Sequence, residues 1–187
     1  MSDIQRQPQK DGQKLVVPQN AVDAASLSEV QVVEARRSRM PPPLPCLIGL
    51  VLGWGLDAWR PWQIANDPRI EIMTIAFGAF AAFAALALII GANRALARQG
   101  TSADPNVESV AIVAGGPFAF SRNPIYLALA LLQIAIAFFF DNVWMLLMLV
   151  PVLIALDRIV VAGEERYLAS RFGRGYLDYA SLVRRWL

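Results

Sequence analysis

Apolar and polar positions alternate along this chain in long blocks rather than residue by residue. Residues 1–40 are polar, rich in Gln, Ser, Asp and Lys, and show neither helical nor strand periodicity, so they read as a cytosolic tail without a packed core. A short helix over residues 24–37 is compatible with the pattern. No apolar core follows the start, so the tail does not resemble a signal peptide. Beyond Pro41-Pro42-Pro43 come four apolar blocks, over residues 44–59, 70–92, 124–140 and 143–162. About 20 apolar residues carry a helix across a bilayer. The second block meets that length, and the first is short but ends in Trp59-Arg60-Pro61-Trp62, an aromatic and basic cluster suited to a membrane interface. Gly78, Ala81, Ala82 and Ala85 give the second block a small-residue face for close helix contact.

Only Asp141-Asn142 separates the third block from the fourth, which forces an antiparallel helical hairpin. The connection over residues 93–123 is polar, with turn signals at Asp104-Pro105 and Gly115-Gly116-Pro117. Residues 163–187 are basic and aromatic with amphipathic spacing, interrupted near Gly173 and Gly175, as expected of helices at a membrane surface. The pattern therefore predicts an all-α polytopic membrane helical bundle of about four spans, with a tight C-terminal hairpin and an amphipathic cytosolic segment. The expected organisation is a tail over residues 1–40 and a membrane domain over residues 41–187.

Composition sharpens this. The chain is 56% hydrophobic and only 17% charged, too apolar for an ordinary soluble domain. With a net charge of +2, a nucleic-acid surface is not implied. Arginines are placed asymmetrically. If the N-terminus is cytosolic, Arg36, Arg37, Arg39, Arg94, Arg98, Arg122 and the C-terminal arginines lie inside, and only Arg60 and Arg69 lie outside. The positive-inside rule then predicts cytosolic N- and C-termini, as in a bacterial inner membrane protein. There is no His, which removes imidazole acid–base chemistry and His-ligated metals. The single Cys46 permits neither an internal disulfide nor a Cys-based zinc site and reads as a packing residue. No metal is expected.

Folding the hairpin about Asp141-Asn142 brings Arg122, Asn123 and Tyr126 level with residues 157–165. Charges at that depth are costly unless paired or wet. Seven-residue spacing puts Arg158 with Glu165, and Asp157 with Glu164, on common faces. Arg122, Asp157, Arg158, Glu164 and Glu165 are thus expected around one polar pocket. Other readings stand beside this one. Glu164-Glu165 also suits a solvated helix end, Tyr126 an interfacial aromatic, Gly115-Gly116-Pro117 a plain turn, and Arg184, Arg185 and Trp186 a headgroup anchor.

The segments GPFAFSRNPIYLALAL and EERYLASRFGRGYLDYASLVRRW resemble the isoprenylcysteine carboxyl methyltransferase and phospholipid methyltransferase superfamily of integral membrane enzymes. The resemblance runs over residues 92–187. It implies methyl transfer from S-adenosylmethionine to a small apolar or lipid-linked acceptor at the cytosolic face. A lipid-amine N-methyltransferase, or a non-catalytic binding module on the same fold, is the alternative. It also implies that Gly116, Pro117 and Phe118 shape a loop over the cofactor and that Arg122, Asn123, Pro124 and Tyr126 line its pocket. Glu164 and Glu165 match the family's acidic pair, and Tyr176 and Tyr179 its tail aromatics. Together with the pocket geometry, this makes Arg122, Arg158 and Glu165 the candidate catalytic residues. The prenylcysteine enzymes carry His where this chain has Asn123, which hydrogen-bonds but does not titrate.

Overall fold

A computed structural model describes residues 41, 43–100 and 111–187. The expected tail, its short helix and the Asp104-Pro105 turn lie outside the described residues. Helix α1 spans Pro43–Trp59. Helix α2 spans Pro68–Arg98; Asp67 caps it by accepting the Arg69 N–H, and Pro68 occupies the first turn, where a missing N–H costs nothing. Helix α3 spans Pro124–Phe139 and also begins on a proline. Helix α4 runs over Val143–Phe172. Asn142 caps it by accepting the Met145 N–H at 2.9 Å. Helix α5 spans Arg174–Leu182. The described residues contain no strand.

Two helices run further than the apolar pattern predicts. Block two ends at Ala92, but α2 continues to Arg98. Asn93 satisfies its side chain on the Ile89 carbonyl, and nothing breaks the helix before Gly100, which has φ 66°. Polarity marks the end of the apolar stretch, not the end of the helix. Likewise α4 does not stop at residue 162. It passes through a π-helical turn, Leu156–Val161, into the α-helical segment Ala162–Phe172. It breaks at Gly173, whose φ of 55° favours glycine. Nearer its start, α4 is interrupted between Val143–Leu147 and Leu149–Ala155. Pro151 explains this, since it lacks an N–H and its ring crowds the Leu147 carbonyl.

Small residues set the packing distances. A Cβ on Gly53 would lie 2.8 Å from the Met145 Cα, so α1 touches the α4 backbone there. One on Gly78 would meet Phe138, Phe139 and the Ala135 carbonyl at 3.2–3.3 Å, which seats α2 on α3. Ala81 and Ala85 are buried beside Gly78 as the small-residue face requires. Cys46, Tyr126, Val152, Leu156, Val160 and Val161 form the apolar core, with Trp186 packed against it. Buried Gln133 donates to the Met145 carbonyl at 3.2 Å and ties α3 to α4.

The outward faces are apolar too. Ile72, Phe80 and Phe83 of α2 are about 70% exposed, at 70%, 71% and 72%. Of the most apolar 18-residue stretches of α2 and α4, only 22% and 28% is buried. A core helix of a soluble protein would be mostly covered. Apolar helices left bare over this length suit a lipid surround. Among the described residues, α2 and α4 are long and apolar enough to cross a membrane, while α1 and α3 are shorter apolar helices.

Candidate active site at one end of the helices

The connections gather at two ends. At one, the Ile64 and Ala65 N–H groups donate to Asp141, and Trp144 Nε1 donates to the Arg60 carbonyl. At the other lie the turn after α2, the start of α3, the second half of α4, and the C-terminal segment. Here a 3₁₀ turn, Gly116–Ala119, is held by the Tyr179 hydroxyl, which donates to the Phe118 carbonyl at 2.8 Å. Gly91 of α2 packs against the Pro117 ring, where an added Cβ would fall 2.9 Å from Cγ. Gly116 adopts φ 62°, the left-handed conformation this turn needs.

Ser121, Asn123 and Pro124 are buried at the entry to α3. Arg122 reaches across to α4 and pairs with Glu165, Nη1 to Oε1 at 3.0 Å, with both side chains under a fifth exposed. It also donates to the Tyr176 hydroxyl. Tyr126, buried one turn into α3, donates its hydroxyl to Glu164. The acidic pair is therefore divided: Glu165 takes arginine and Glu164 takes tyrosine. A solvated helix end would have neither partner.

Burial and the neighbouring Glu165 carboxylate push the Tyr176 hydroxyl above the ordinary tyrosine range, against the opposing pull of Arg122. Burial pushes Tyr179 up to about 12, with Tyr176 adding to the shift. Both rings are neutral at physiological pH, tilted at 56° with centroids 6.2 Å apart.

The π-turn rearranges the expected acidic and basic faces. An i→i+5 turn carries an extra residue, so groups eight apart, not seven, face the same way beyond it. Asp157 and Glu165 share a face and are bridged by one guanidinium, that of Arg185. Arg158 is turned out: its side chain is 80% exposed, with Asp157 at 3.5 Å. The expected convergence thus holds for Arg122, Asp157, Glu164 and Glu165 and fails for Arg158.

Arg185 and Trp186 occupy the position that the spacing argument assigned to Arg158. Arg185 donates from Nε and Nη2 to Glu165 at 3.2 and 2.5 Å, and from Nη1 to Asp157 at 3.1 and 3.3 Å. Glu165 is the main reason its guanidinium titrates above the usual arginine range. Trp186 donates its indole N–H to Asp157 at 3.0 Å. Arg185 and Trp186 are thus engaged by carboxylates of α4, and of the three residues open to the headgroup-anchor reading Arg184 is the exposed one. The sequence signal of Arg185 and Trp186 was their place at the end of the segment EERYLASRFGRGYLDYASLVRRW. Among the described residues, no group of His, Cys, Asp and Glu is arranged to hold a metal ion.

A membrane-embedded helical protein with an arginine–carboxylate site at its helix ends is the class that these observations define. Within that class the chain belongs to the phospholipid methyltransferase family, whose profile matches residues 72–175, more than half of its length. The matched range includes the 3₁₀ turn, Arg122, Asn123, Pro124, Tyr126 and both glutamates, and ends one residue before Tyr176. An uncharacterised protein of Haemophilus influenzae is 36% identical over 62 residues, covering 33% of this chain and 98% of the relative. No solved structure matches the chain.

Proposed function

We propose that the protein transfers a methyl group from S-adenosylmethionine to a small apolar or lipid-linked acceptor at the cytosolic face of a bacterial inner membrane. In this reading residues 41–187 form the working domain, four helices span the bilayer, and both termini and the connection after α2 are cytosolic. The observation that carries it is the part-buried Arg122–Glu165–Arg185–Asp157 constellation at the helix ends of a protein in a methyltransferase family.

The residues fit the cofactor. Arg122 Nε is buried without a hydrogen-bond partner among the described residues, a donor left over for a ligand. Asp157, Glu164 and Glu165 gather with Arg122 and Arg185 at this end of the helices. Such a mixture of anionic and cationic groups suits a ligand bearing an ammonium, a sulfonium and a single carboxylate. S-adenosylmethionine, when bound, supplies an electrophilic methyl group for in-line displacement. Arg122 holds the ligand carboxylate through a charge-assisted bond, and Glu165 or Glu164 holds its ammonium. Tyr126, Tyr176 and Tyr179 offer aromatic faces to a cationic sulfur. Gly116, Pro117 and Phe118 close the turn above, and Asn123 fixes the backbone entering α3 beside Pro124. Arg158 takes no part.

Such a displacement needs position and dryness more than a base. A carboxylate, thiolate or neutral amine acceptor is competent without one, consistent with a chain that has no His. The family's description supports a phospholipid acceptor, and a lipid amine is the second reading. Calorimetric titration of detergent-purified protein with S-adenosylmethionine, followed by labelled-methyl incorporation into bacterial lipid extracts, tests the proposal. Saturable binding with label in a lipid supports it. Absence of binding reduces the protein to a non-catalytic module. For topology, labelling from outside should reach Asn66→Cys and miss Ser102→Cys.

A further inference from the structure

The segment after α5 leaves its helix at Val183, whose own backbone is extended, and runs back across the site. Its main chain is stitched to the residues entering α3. The Arg122 N–H donates to the Arg184 carbonyl at 3.0 Å, and Asn123 Nδ2 donates to the Arg185 carbonyl at 3.0 Å. Its side chains reach the opposite wall. Three guanidinium nitrogens of Arg185 are engaged by Asp157 and Glu165, at the two ends of the segment containing the π-turn, and the Trp186 indole adds a bond to Asp157. One residue therefore joins the start of α3, through its carbonyl, to α4, through its side chain.

Glu165 lies between two arginines. Its Oε1 meets Arg122 at 3.0 Å, and its Oε2 meets Arg185. The Arg185 fork engages both oxygens of Glu165, which fixes the carboxylate plane as well as its position. It also separates Glu165 from Asp157, two like charges on one helix face. Without that cation, they would repel across the site, and Arg122 alone could not hold Glu165 in one orientation.

We infer that Arg185 is a positioning residue for methyl-donor binding, holding Glu165 and Asp157 in place for the ligand, so that the C-terminal segment is part of the site. This rests on the proposed S-adenosylmethionine reading. Arg185 acts through Glu165 and Asp157 and need not touch the ligand itself. Lysine is a poor substitute, because its ammonium lacks the planar fork that engages both oxygens of Glu165 while a third nitrogen holds Asp157.

The test compares Arg185→Gln, Arg185→Lys and Arg185→Ala in the full chain, with Arg174→Gln as an exposed-charge control. Readouts are S-adenosylmethionine affinity and thermal midpoint in detergent. Arg185→Gln is expected to weaken binding by about tenfold or more, with Arg185→Lys intermediate and Arg174→Gln unchanged. Free guanidinium added to Arg185→Ala is expected to recover part of the lost affinity, a response that a general packing defect would not give. If Arg185→Gln fails to fold, Arg185→Lys and the guanidinium rescue decide. Wild-type affinity in folded Arg185→Lys and Arg185→Gln overturns the inference and leaves the methyl-donor reading intact. A wild-type protein that binds no S-adenosylmethionine overturns both.

Discussion

Asp141 and Glu165 are carboxylates at opposite ends of the same hairpin, and they are satisfied in opposite ways. Asp141 accepts two main-chain N–H groups, from Ile64 at 2.9 Å and Ala65 at 2.8 Å. Its own backbone is at φ 49°, a conformation that Asp tolerates better than most residues. Beside it, Trp62 and Trp144 meet edge to face with centroids 5.5 Å apart. Such an end is a lock, since backbone donors cannot leave without unfolding the loop. Glu165 instead accepts from the side chains of Arg122 and Arg185, which can exchange partners by rotamer change. Carboxylates closed by backbone hold a fold together. Carboxylates closed by arginine side chains can be shared with an incoming ligand.

The strongest way to break this comparison is at the exchangeable end. Arg122→Ala removes a charge-assisted hydrogen bond worth about 1.5–3 kcal/mol, so S-adenosylmethionine affinity should fall by roughly ten- to a hundredfold. Glu165→Gln keeps the shape and removes the charge that both arginines share, and should fall in the same range. Calorimetry on both variants, with thermal midpoints alongside, measures it. Wild-type affinity and turnover in both would make this end as inert as the other.

At the locked end the expected loss is of another kind. Asp141→Ala strands two N–H groups and places Ala at positive φ, costing about 2 kcal/mol of stability. Cofactor affinity should not change. A thermal midpoint lowered with unaltered binding sharpens the contrast. A parallel loss of affinity would show that the two ends are mechanically coupled.

The difference between the ends was partly legible in sequence. Asp141-Asn142 between two apolar blocks demanded a hairpin, and the hairpin alone brought Arg122 to Glu165. What could not be read was the path of α4 between residues 156 and 161. A π-turn has no compositional signature. It nevertheless shifts every later side chain by one position, and so moved Arg158 out of the cluster and aligned Asp157 with Glu165. The contacts of the tail were hidden for a related reason. Arg185 and Trp186 look like an interfacial anchor when their spacing is considered alone. The overrun of α2 to Arg98 was hidden because hydropathy reports the solvent around a helix and not its hydrogen bonds.

The smallest effect tests whether the turn above the site belongs with the exchangeable groups or with the locked ones. Tyr179 donates to the Phe118 carbonyl at 2.8 Å and thereby holds the Gly116–Ala119 turn onto α5. Tyr179→Phe removes that single neutral bond, at a cost of about 0.5–1.5 kcal/mol. Phe118 is only part-buried, so water can replace the lost donor in part. The alkaline limb is more diagnostic. Tyr179 ionises near 12 in the folded protein and near 10 when unfolded. From pH 10 to 12 the unfolded chain has lost this proton and the folded chain keeps it. The unfolded state is therefore favoured progressively, and stability falls as pH rises through that window. Tyr179→Phe should flatten the fall without abolishing it, because the Tyr176 pKa is also raised. Thermal midpoints of wild type and variant from neutral pH to pH 12 measure this. Parallel curves would mean that Tyr179 is not the group that titrates there, and that the turn is held by the Gly91–Pro117 contact instead.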